Sequence, residues 1–276
     1  MYLRVDGQSL FFDIVGEKLR IDGPRLVEKP TLISLHGGPG FDHQRLRPDM
    51  DALADIAQVL YLDHRGNGRS DRGNPAHWNL ARWGDDVREL CDALGIEKPI
   101  VLGNSFGGMV AMSYATRHPD HPGKLVLSST AARMDLERIV AAFTRIGGDE
   151  AGAVARRYWT APCDASAADY ARVCLPLYSR RPQDPDVLAR TTWGFEVMFA
   201  FARDESRTYD LLPDLRRVRC PTLVLAGEDD PITPIADAED IAAALPPGLV
   251  RFERFADCGH GSYRDQPERT FALLRE

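Results

Sequence analysis

The residues whose types and spacing point to chemistry form a Gly-x-Ser-x-Gly pentapeptide at positions 103–107, centred on Ser105. A short aliphatic run precedes it and a run of small and apolar residues follows, which is typical of a strand, a sharp turn and a helix. Such a turn holds the serine side chain clear of the backbone, near the positive end of the helix, where developing negative charge is favoured. The pattern predicts a nucleophilic serine, although a serine that only caps a helix produces the same pentapeptide.

A serine hydroxyl becomes a good nucleophile only when a base takes its proton, and that base needs an acid to orient it. Three of the seven histidines, His36, His64 and His260, follow predicted strands, at the sheet edge where parallel-sheet active sites form. His260 lies in a glycine-flanked loop after the last strand, and such a loop can carry an imidazole back over the sheet. Three adjacent acids at positions 228–230 follow the preceding strand, and only one of them can point at the imidazole. The order serine, acid, histidine is the one that a nucleophile elbow predicts.

The elements that position these groups alternate between strands and helices. Residues 2–5 and 9–15 are typical of two antiparallel strands around a turn at Asp6 and Gly7. Short apolar runs predict buried parallel strands before the pentapeptide and at residues 31–35 and 58–62. Further strands are predicted at residues 124–128, 221–226 and 250–255. Helical spacing of apolar residues marks residues 45–56, 79–94, 237–245 and the chain from about residue 266. The alternation predicts an α/β core with a mostly parallel central sheet flanked by helices.

This alternation stops between residues 131 and 215. Helical patterns separated by Pro- and Asp-containing turns occupy residues 136–146, 151–160, 165–177 and 187–202. Ten of the 23 aromatic residues lie here, a modest excess that ordinary helix packing also explains. The sequence therefore predicts a core made of residues 1–130 and 216–276. It also predicts an inserted all-helical lid over the strand ends, residues 131–215.

Composition excludes several other classes of protein. The chain has 276 residues with 44% hydrophobic and 27% charged residues, as expected for one globular core with an insertion. Its net charge of −7 and lack of a basic run argue against a nucleic-acid surface. No apolar run reaches the roughly 18 residues of a membrane span, and the N-terminus lacks an export pattern, so a cytoplasmic location is expected. The five scattered cysteines, without CxxC spacing, indicate reduced thiols rather than a disulfide framework or a metal site.

Three segments together resemble the α/β-hydrolase superfamily and, within it, the prolyl iminopeptidase branch. They are residues 36–40 (His-Gly-Gly-Pro-Gly), residues 63–70 (Asp-His-Arg-Gly-Asn-Gly-Arg-Ser) and the serine pentapeptide, and the resemblance covers essentially the whole chain. In that superfamily the acid stands three residues after the strand-terminal glycine and just before a proline-containing turn. The resemblance therefore implies Asp230 as the acid, with Asp229 as the alternative.

The resemblance also implies where the oxyanion is bound. One donor is the backbone N–H of Phe106, and the other comes from the His-Gly loop, at Gly38 or alternatively at Gly37. Physically, two fixed N–H dipoles must lie about 3 Å from the incipient oxyanion. We expect His36 to brace this loop through a hydrogen bond. We expect the loop of residues 63–70 to be scaffold, with one of its arginines paired to a carboxylate.

The hypothesis is a cofactor-free and metal-free serine hydrolase that acts on a small-molecule amide or ester. Ser105 attacks a carbonyl, His260 takes and returns the proton, Asp230 holds the imidazole tautomer, and water clears the acyl-enzyme. The resemblance implies release of an N-terminal proline from small peptides, which requires a carboxylate for the substrate ammonium group. Glu196, in an aromatic run with Trp193, is the candidate for that carboxylate, and its alternative is a solvent-facing position on a packed helix.

Two alternatives stay open. The residues beside the serine, Asn104 and Phe106, depart from the Gly-Gly-Ser-Trp-Gly form of one peptidase group. A carboxylesterase or acyl-lactone hydrolase, with an acyl pocket made by the aromatic lid, is therefore an alternative to the peptidase. The other alternative is a catalytically inactive binding module on the same fold. In that case a member of the serine, acid and histidine set would be missing, and none is.

Overall fold

The computed structural model describes residues 1–182 and 184–276, and its centre is a twisted sheet of eight strands. In chain order the strands are β1 (Tyr2–Val5), β2 (Gln8–Val15), β3 (Leu19–Asp22), β4 (Arg25–Glu28), β5 (Thr31–Leu35), β6 (Gln58–Leu62), β7 (Ile100–Asn104), β8 (Lys124–Ser128), β9 (Thr222–Gly227) and β10 (Val250–Phe255). The sheet order is β1-β2-β6-β5-β7-β8-β9-β10, and β3 pairs with β4 in a separate hairpin. The strands from β6 to β10 in this order run parallel, while β1 and β2 are antiparallel to their neighbours. This confirms the predicted α/β fold.

Nine α-helices occur in the described residues and flank or cover this sheet. They are α1 (Leu80–Leu94), α2 (Phe106–Arg117), α3 (Leu136–Thr160), α4 (Asp164–Val173), α5 (Pro185–Arg190), α6 (Phe195–Arg203), α7 (Ile235–Ala244), α8 (Ser262–Asp265) and α9 (Pro267–Arg275). The ends of α1 follow the sequence directly, because the Asn79 side chain caps its first turn and Gly95 ends it in a left-handed conformation. None of the helices in the described chain combines the length and apolarity needed to cross a bilayer.

The central strands are buried because each apolar run has a neighbour on both sides. Every residue of β5 is buried, and only the first residue of β6, β7 and β8 is not. Apolar side chains from the sheet pack against α1 and α2 on one face and form a second cluster on the other face. The carboxyl ends of β5, β7, β9 and β10 consequently meet at one edge, where parallel sheets place their ligand sites.

Between β8 and β9 the chain forms helices α3 to α6, with an isolated bridge between Arg133 and Asp210. Helix α3 covers two of the predicted helices and bends at Gly148, where φ is 79°. Side chains from α3 and α4 form a small apolar cluster of their own, built around Phe143, Tyr158 and Tyr170. This segment, residues 131–215, keeps the name lid below.

Two local predictions were wrong, and one element was not predicted. Residues 45–56 form two short 3₁₀ pieces, His43–Arg45 and Asp49–Leu53, rather than one helix, because Pro48 supplies no N–H and disfavours helix before it. Residues 19–28 form the β3–β4 hairpin, which the sequence hid because nearly all of its residues are exposed and show no apolar alternation.

The second wrong prediction is a continuous helix over residues 187–202. The structure ends α5 at Arg190 and begins α6 at Phe195. The intervening backbone is pulled towards the core: Thr192 N–H donates to Asp42 Oδ2 at 3.0 Å, and Gly194 N–H donates to Gly40 O at 2.7 Å. Contacts with a distant loop therefore override the local helical pattern.

Candidate active site

Ser105 stands on the sharp turn between β7 and α2. Its backbone has φ 55° and ψ −122°, a strained conformation that a side chain other than glycine rarely adopts. The Ser105 hydroxyl makes no capping hydrogen bond to α2, so a purely capping role does not fit. Glycines are required on both sides. A Cβ at Gly103 would lie 2.2 Å from Gly107 O, and one at Gly107 would lie 2.1 Å from Leu35 O.

His260 and Asp230 form a buried pair. Nδ1 of His260 lies 2.8 Å from Oδ2 of Asp230, and the two side chains are 6% and 0% exposed. Three further hydrogen bonds hold the Asp230 carboxylate: Ile232 N–H and Thr233 N–H donate to Oδ1, and the Thr233 hydroxyl donates to Oδ2 at 2.7 Å. A fixed carboxylate on Nδ1 leaves Nε2 of the imidazole available to take a proton.

The three adjacent acids after β9 have different surroundings in the structure. Asp230 alone contacts His260. Asp229 forms ion pairs with Arg145 at 2.8 Å and with Arg180, and the Arg145 hydrogen bond helps to lower the Asp229 pKa. Glu228 is exposed. The geometry therefore matches the acid that the family resemblance implied rather than its alternative.

The loop that carries His260 is held by both the core and the lid. His260 N–H donates to Tyr178 O at 2.5 Å, and the Tyr178 ring packs edge-on against the imidazole with centroids 5.3 Å apart. Gly259 N–H donates to Asp265 Oδ2 at 2.8 Å, and Gly261 N–H donates to Ser129 Oγ at 3.0 Å. The sequence offered no indication of Tyr178 or Asp265, since neither belongs to a motif.

Ser105 and His260 line the same cavity, and among the described residues no hydrogen bond joins their side chains directly. Such bonds commonly tighten only when a substrate is bound. Cys258, two residues before the histidine, is buried, and burial raises the pKa of its thiol to about 12. An inert thiol is therefore expected there.

The glycine-rich loop after β5 lies against the serine. A Cβ at Gly37 would lie 3.3 Å from Ser105 Cβ, and both Gly37 and Gly38 line the cavity. Phe106 is the first residue of α2, where backbone N–H groups lack partners within the helix. Its ring is fully buried and points away from the cavity, edge-on to Trp83, so only its backbone is available to a substrate.

His36 braces this loop, as predicted. Its Nδ1 lies 2.7 Å from Gly37 O, and its Nε2 accepts the His64 N–H at 3.3 Å, which assigns the ring proton to Nδ1. Burial lowers the pKa of His36, and burial together with the His36 charge lowers that of His64 well below its ordinary value. Both rings are therefore neutral, and both lie behind the loop rather than in the cavity.

The segment of residues 63–70 is scaffold. Asp63 accepts from the ring and the backbone of His43 at 2.7 and 2.9 Å, and Arg65 forms a bidentate pair with Asp86 at 2.6 and 2.8 Å. These four side chains are essentially fully buried. The prediction that an arginine of this segment pairs with a carboxylate is confirmed for Arg65.

A large cavity opens above Ser105, between the core and the lid. Its volume is about 1210 Å³ and much of its wall is aromatic. The lid contributes these aromatic residues: Tyr158, Trp159, Tyr170, Tyr178, Trp193, Phe195, Phe199, Phe201 and Tyr209.

The structure corrects the predicted role of Glu196 as a cavity carboxylate. Trp193 lines the cavity as expected, but Glu196 is exposed and does not line it. Helix α6 instead turns Met198 and Phe199 inward, because residues three and four positions after Phe195 share its face while Glu196 lies a quarter-turn away. The solvent-facing alternative for Glu196 is the one that the structure supports.

Similarity to known proteins agrees with this geometry. A family model described as "alpha/beta hydrolase fold" matches residues 30–267. The chain belongs to the α/β-hydrolase family. This α/β-hydrolase is 31% identical, over 254 residues, to "Putative carbamate hydrolase RutD" of a Caulobacter species, covering 85% of this chain and 90% of that protein.

A further sequence relative agrees with the prolyl iminopeptidase-like branch of the family, and a solved structure shares the fold. The "Proline iminopeptidase" of Lactobacillus helveticus is 26% identical over 292 residues, covering 98% of this chain and 94% of that protein. The crystal structure of proline iminopeptidase from Mycobacterium smegmatis superposes with a TM-score of 0.76 at 24% identity, covering 99% of this chain and 95% of that chain. The predicted family and branch are confirmed.

Proposed function

We propose that this α/β-hydrolase is a serine hydrolase whose triad is Ser105, His260 and Asp230. The observation that carries the proposal is the buried Asp230–His260 pair, 2.8 Å apart, beside a strained serine in the same cavity. The order and roles of the three residues are those of the nucleophile-elbow arrangement. The lid of residues 131–215 would close the cavity over the core of residues 1–130 and 216–276.

Each group has one task in this mechanism. His260 Nε2 takes the Ser105 proton as the hydroxyl oxygen attacks the substrate carbonyl, and returns it to the leaving group. The oxyanion lies between the N–H groups of Phe106 and Gly38, with Gly37 as the alternative to Gly38. Asp230 stabilises the imidazolium that forms in each half-reaction. A water molecule then attacks the acyl-enzyme with His260 again as the base.

A small ester or lactone is the substrate class that the cavity supports best. An N-terminal proline would bring an ammonium group, which needs an available carboxylate. Two carboxylates line the described cavity wall, Asp164 and Asp237. Asp237 already pairs with Arg138 at 2.9 Å, and Asp164 is exposed at the start of α4. The apolar aromatic wall suits an acyl chain instead.

Proline iminopeptidase activity is the second candidate, because two of the similar proteins carry that name. Because one relative is named a putative carbamate hydrolase, a carbamate ester is also included among the test substrates. Rates with proline β-naphthylamide, short p-nitrophenyl esters, acyl lactones and a phenyl carbamate would rank the candidates. Ester or lactone turnover well above that of the prolyl amide is the expected result, and the reverse order would establish the peptidase.

The triad is tested by Ser105→Ala. We expect turnover to fall by about 10⁶-fold and covalent labelling by a fluorophosphonate to disappear, because the probe reacts only with an activated serine hydroxyl. Ser113→Ala is the matched control, since Ser113 is a buried serine of α2 that hydrogen-bonds Leu80 O and does not line the cavity. Labelling that survives in Ser105→Ala would refute the assignment. Wild-type protein that binds ligands without turnover or labelling would establish the inactive binding module.

A further inference from the structure

The charged residues of the cavity wall are mostly arginines. Five arginines line the cavity against two carboxylates, and they are Arg45, Arg133, Arg180, Arg181 and Arg264. Two of the five are neutralised by acids: Arg133 pairs with Asp240 at 3.4 Å, and Arg180 pairs with Asp229. The wall therefore carries excess positive charge although the whole chain has a net charge of −7.

Arg45 and Arg264 are the two partly buried arginines without an ion pair among the described residues. The Arg45 guanidinium lies 4.9 Å over the Phe41 ring. Arg264 Nη2 donates a hydrogen bond to the His260 carbonyl at 2.6 Å. Its Nε is buried without a hydrogen-bond partner among the described residues. A buried donor without a partner costs free energy unless a ligand satisfies it.

The two guanidinium groups also act on each other. Burial lowers the pKa of Arg45, and the charge of Arg264 lowers it further. The nearby acids offset this charge only in part. The charge of Asp42 raises the Arg45 pKa, but by less than burial and Arg264 lower it, and burial raises the pKa of Asp49 while Arg264 lowers it. A pair of like charges held partly out of water is destabilising without an anion between or beside them.

Arg264 lies beside the histidine loop, four residues after His260, and donates a hydrogen bond to its carbonyl. Arg45 lies near Tyr178, whose ring packs against the imidazole, and all four residues line the cavity. Guanidinium groups bind carboxylates through paired hydrogen bonds, and the aromatic wall of the cavity suits an organic carboxylate better than a free inorganic anion.

We propose that Arg45 and Arg264 bind a carboxylate of the substrate beside His260, so that the protein acts on carboxylate-bearing esters or lactones. The proposal rests on the proposed serine hydrolase function, because it names the substrate class of the same cavity. It also agrees with the charge of the described wall, since the excess arginine charge would repel a substrate cation.

Matched ester pairs test the preference without any mutation. Mono-p-nitrophenyl adipate is compared with its neutral methyl ester, which places the charge on the acyl part. Acetoxybenzoate is compared with its methyl ester, which places it on the leaving group. In one of the two pairs we expect kcat/KM to favour the carboxylate by about 10- to 100-fold, the range of a charge-assisted hydrogen bond. Equal rates in both pairs, with hydrolysis dependent on Ser105, would overturn this proposal and leave the serine hydrolase intact.

Substitutions locate the preference. In Arg264→Gln and in Arg45→Gln we expect the preference to fall by about 10-fold or more, mainly through KM for the carboxylate ester. Arg88→Gln is the control for loss of one positive charge, because Arg88 lies on α1, pairs with Asp92 and does not line the cavity. If Arg88→Gln lost the carboxylate preference to the same extent, the preference would depend on the total charge of the protein, and a specific site would be refuted.

Binding gives a readout that needs no turnover. In Ser105→Ala, adipate should bind and raise the melting temperature, inorganic phosphate should bind at least 10-fold more weakly, and Arg264→Gln in that background should remove the adipate effect. Adipate binding without hydrolysis of any ester would support the carboxylate site and refute the hydrolase. Tighter binding of phosphate, or adipate binding unaffected by either arginine substitution, would refute the site.

Discussion

At the scale of single residues, the site depends on how completely the Asp230 carboxylate is occupied. Both of its oxygens accept hydrogen bonds within the turn of residues 230–233, and Oδ2 also binds His260 Nδ1. An acid this constrained cannot reorient, so it fixes the ring tautomer and leaves Nε2 facing the cavity. Asp229, one residue earlier, points to Arg145 and Arg180 instead.

Asp230→Asn tests this arrangement. An amide in place of the carboxylate keeps the shape but stabilises neither the imidazolium nor the correct tautomer, so we expect kcat to fall by about 10⁴-fold. Asp229→Asn, which removes the same charge one residue away, should change kcat by less than about threefold, as is usual for loss of a solvent-accessible ion pair. Steady-state kinetics on a p-nitrophenyl ester measures both. Comparable losses in the two variants would contradict the assignment of the acid.

The sequence indicated some of these residues because local rules decide them. Ser105 is recognisable from the glycines that its turn requires, and His260 from a glycine-flanked loop after a strand. Tyr178 and Arg264 were not recognisable, because their contacts with His260 depend on how the lid and the last loop meet. The side on which Glu196 lies was not predictable either. It depends on where α6 begins, and the contacts of residues 192–194 with the core decide that.

At the scale of elements, Asp265 joins the histidine loop to the lid. Its carboxylate accepts from Gly259 N–H at 2.8 Å, from Ser179 Oγ at 2.5 Å and from Arg180 N–H at 3.1 Å. The loop from β10 to α8 and the lid segment after α4 therefore share one buried acceptor. A change in this acceptor would shift the imidazole without touching any catalytic atom, which makes Asp265 a positioning residue.

Asp265→Ala should lower kcat by about 10- to 100-fold, since misplacing a catalytic group by about 1 Å has this cost. KM for a neutral ester should change little, because Asp265 does not line the cavity. Asp265→Asn keeps one oxygen acceptor, so we expect it to recover part of kcat. Equal kcat losses in the alanine and asparagine variants, accompanied by a raised KM, would show general disruption rather than positioning.

The elements themselves were predictable to different degrees, and the reason is physical. Strands β5 to β9 are buried on both sides, so their uniformly apolar sequences left few other structures open. The break at residues 191–194 depends on hydrogen bonds to Asp42 and Gly40, which lie about 150 residues earlier in the chain. The β3–β4 hairpin is exposed, so it lacks the apolar pattern on which prediction depends.

At the scale of the whole molecule, a polar layer lies beneath the oxyanion loop and behind the cavity. It contains the His43–Asp63 and Arg65–Asp86 pairs and the neutral rings of His36 and His64. The layer contacts the loop that carries the predicted oxyanion donors: the His36 ring binds Gly37 O, and Gly40 N–H donates to Asn67 Oδ1. The packing of the layer and the geometry of the site are therefore linked.

This layer predicts how stability depends on pH. The folded pKa of His36 and of His64 is depressed, so between that value and about 6.5 the unfolded chain binds protons that the folded chain does not, and stability falls as pH falls. From pH 7.5 to 6.0 each histidine that stays neutral should cost about 0.8 kcal/mol of unfolding free energy. Asp237 has its pKa raised to about 6 by burial and acts in the opposite direction below that pH, so the range ends there.

Urea unfolding of His64→Gln across this range measures the effect. We expect the loss of stability between pH 7.5 and 6.0 to be smaller than in the wild type by about 0.8 kcal/mol, whatever the absolute stability of the variant. His77→Gln is the matched control, because His77 is exposed on the surface and its substitution should leave the pH dependence as it is. A wild-type slope retained in His64→Gln would mean that the ring takes up a proton in the folded protein. The loop behind Gly37 would then carry a charge that the packing of His36 against His64, with ring centroids 4.5 Å apart, cannot accommodate.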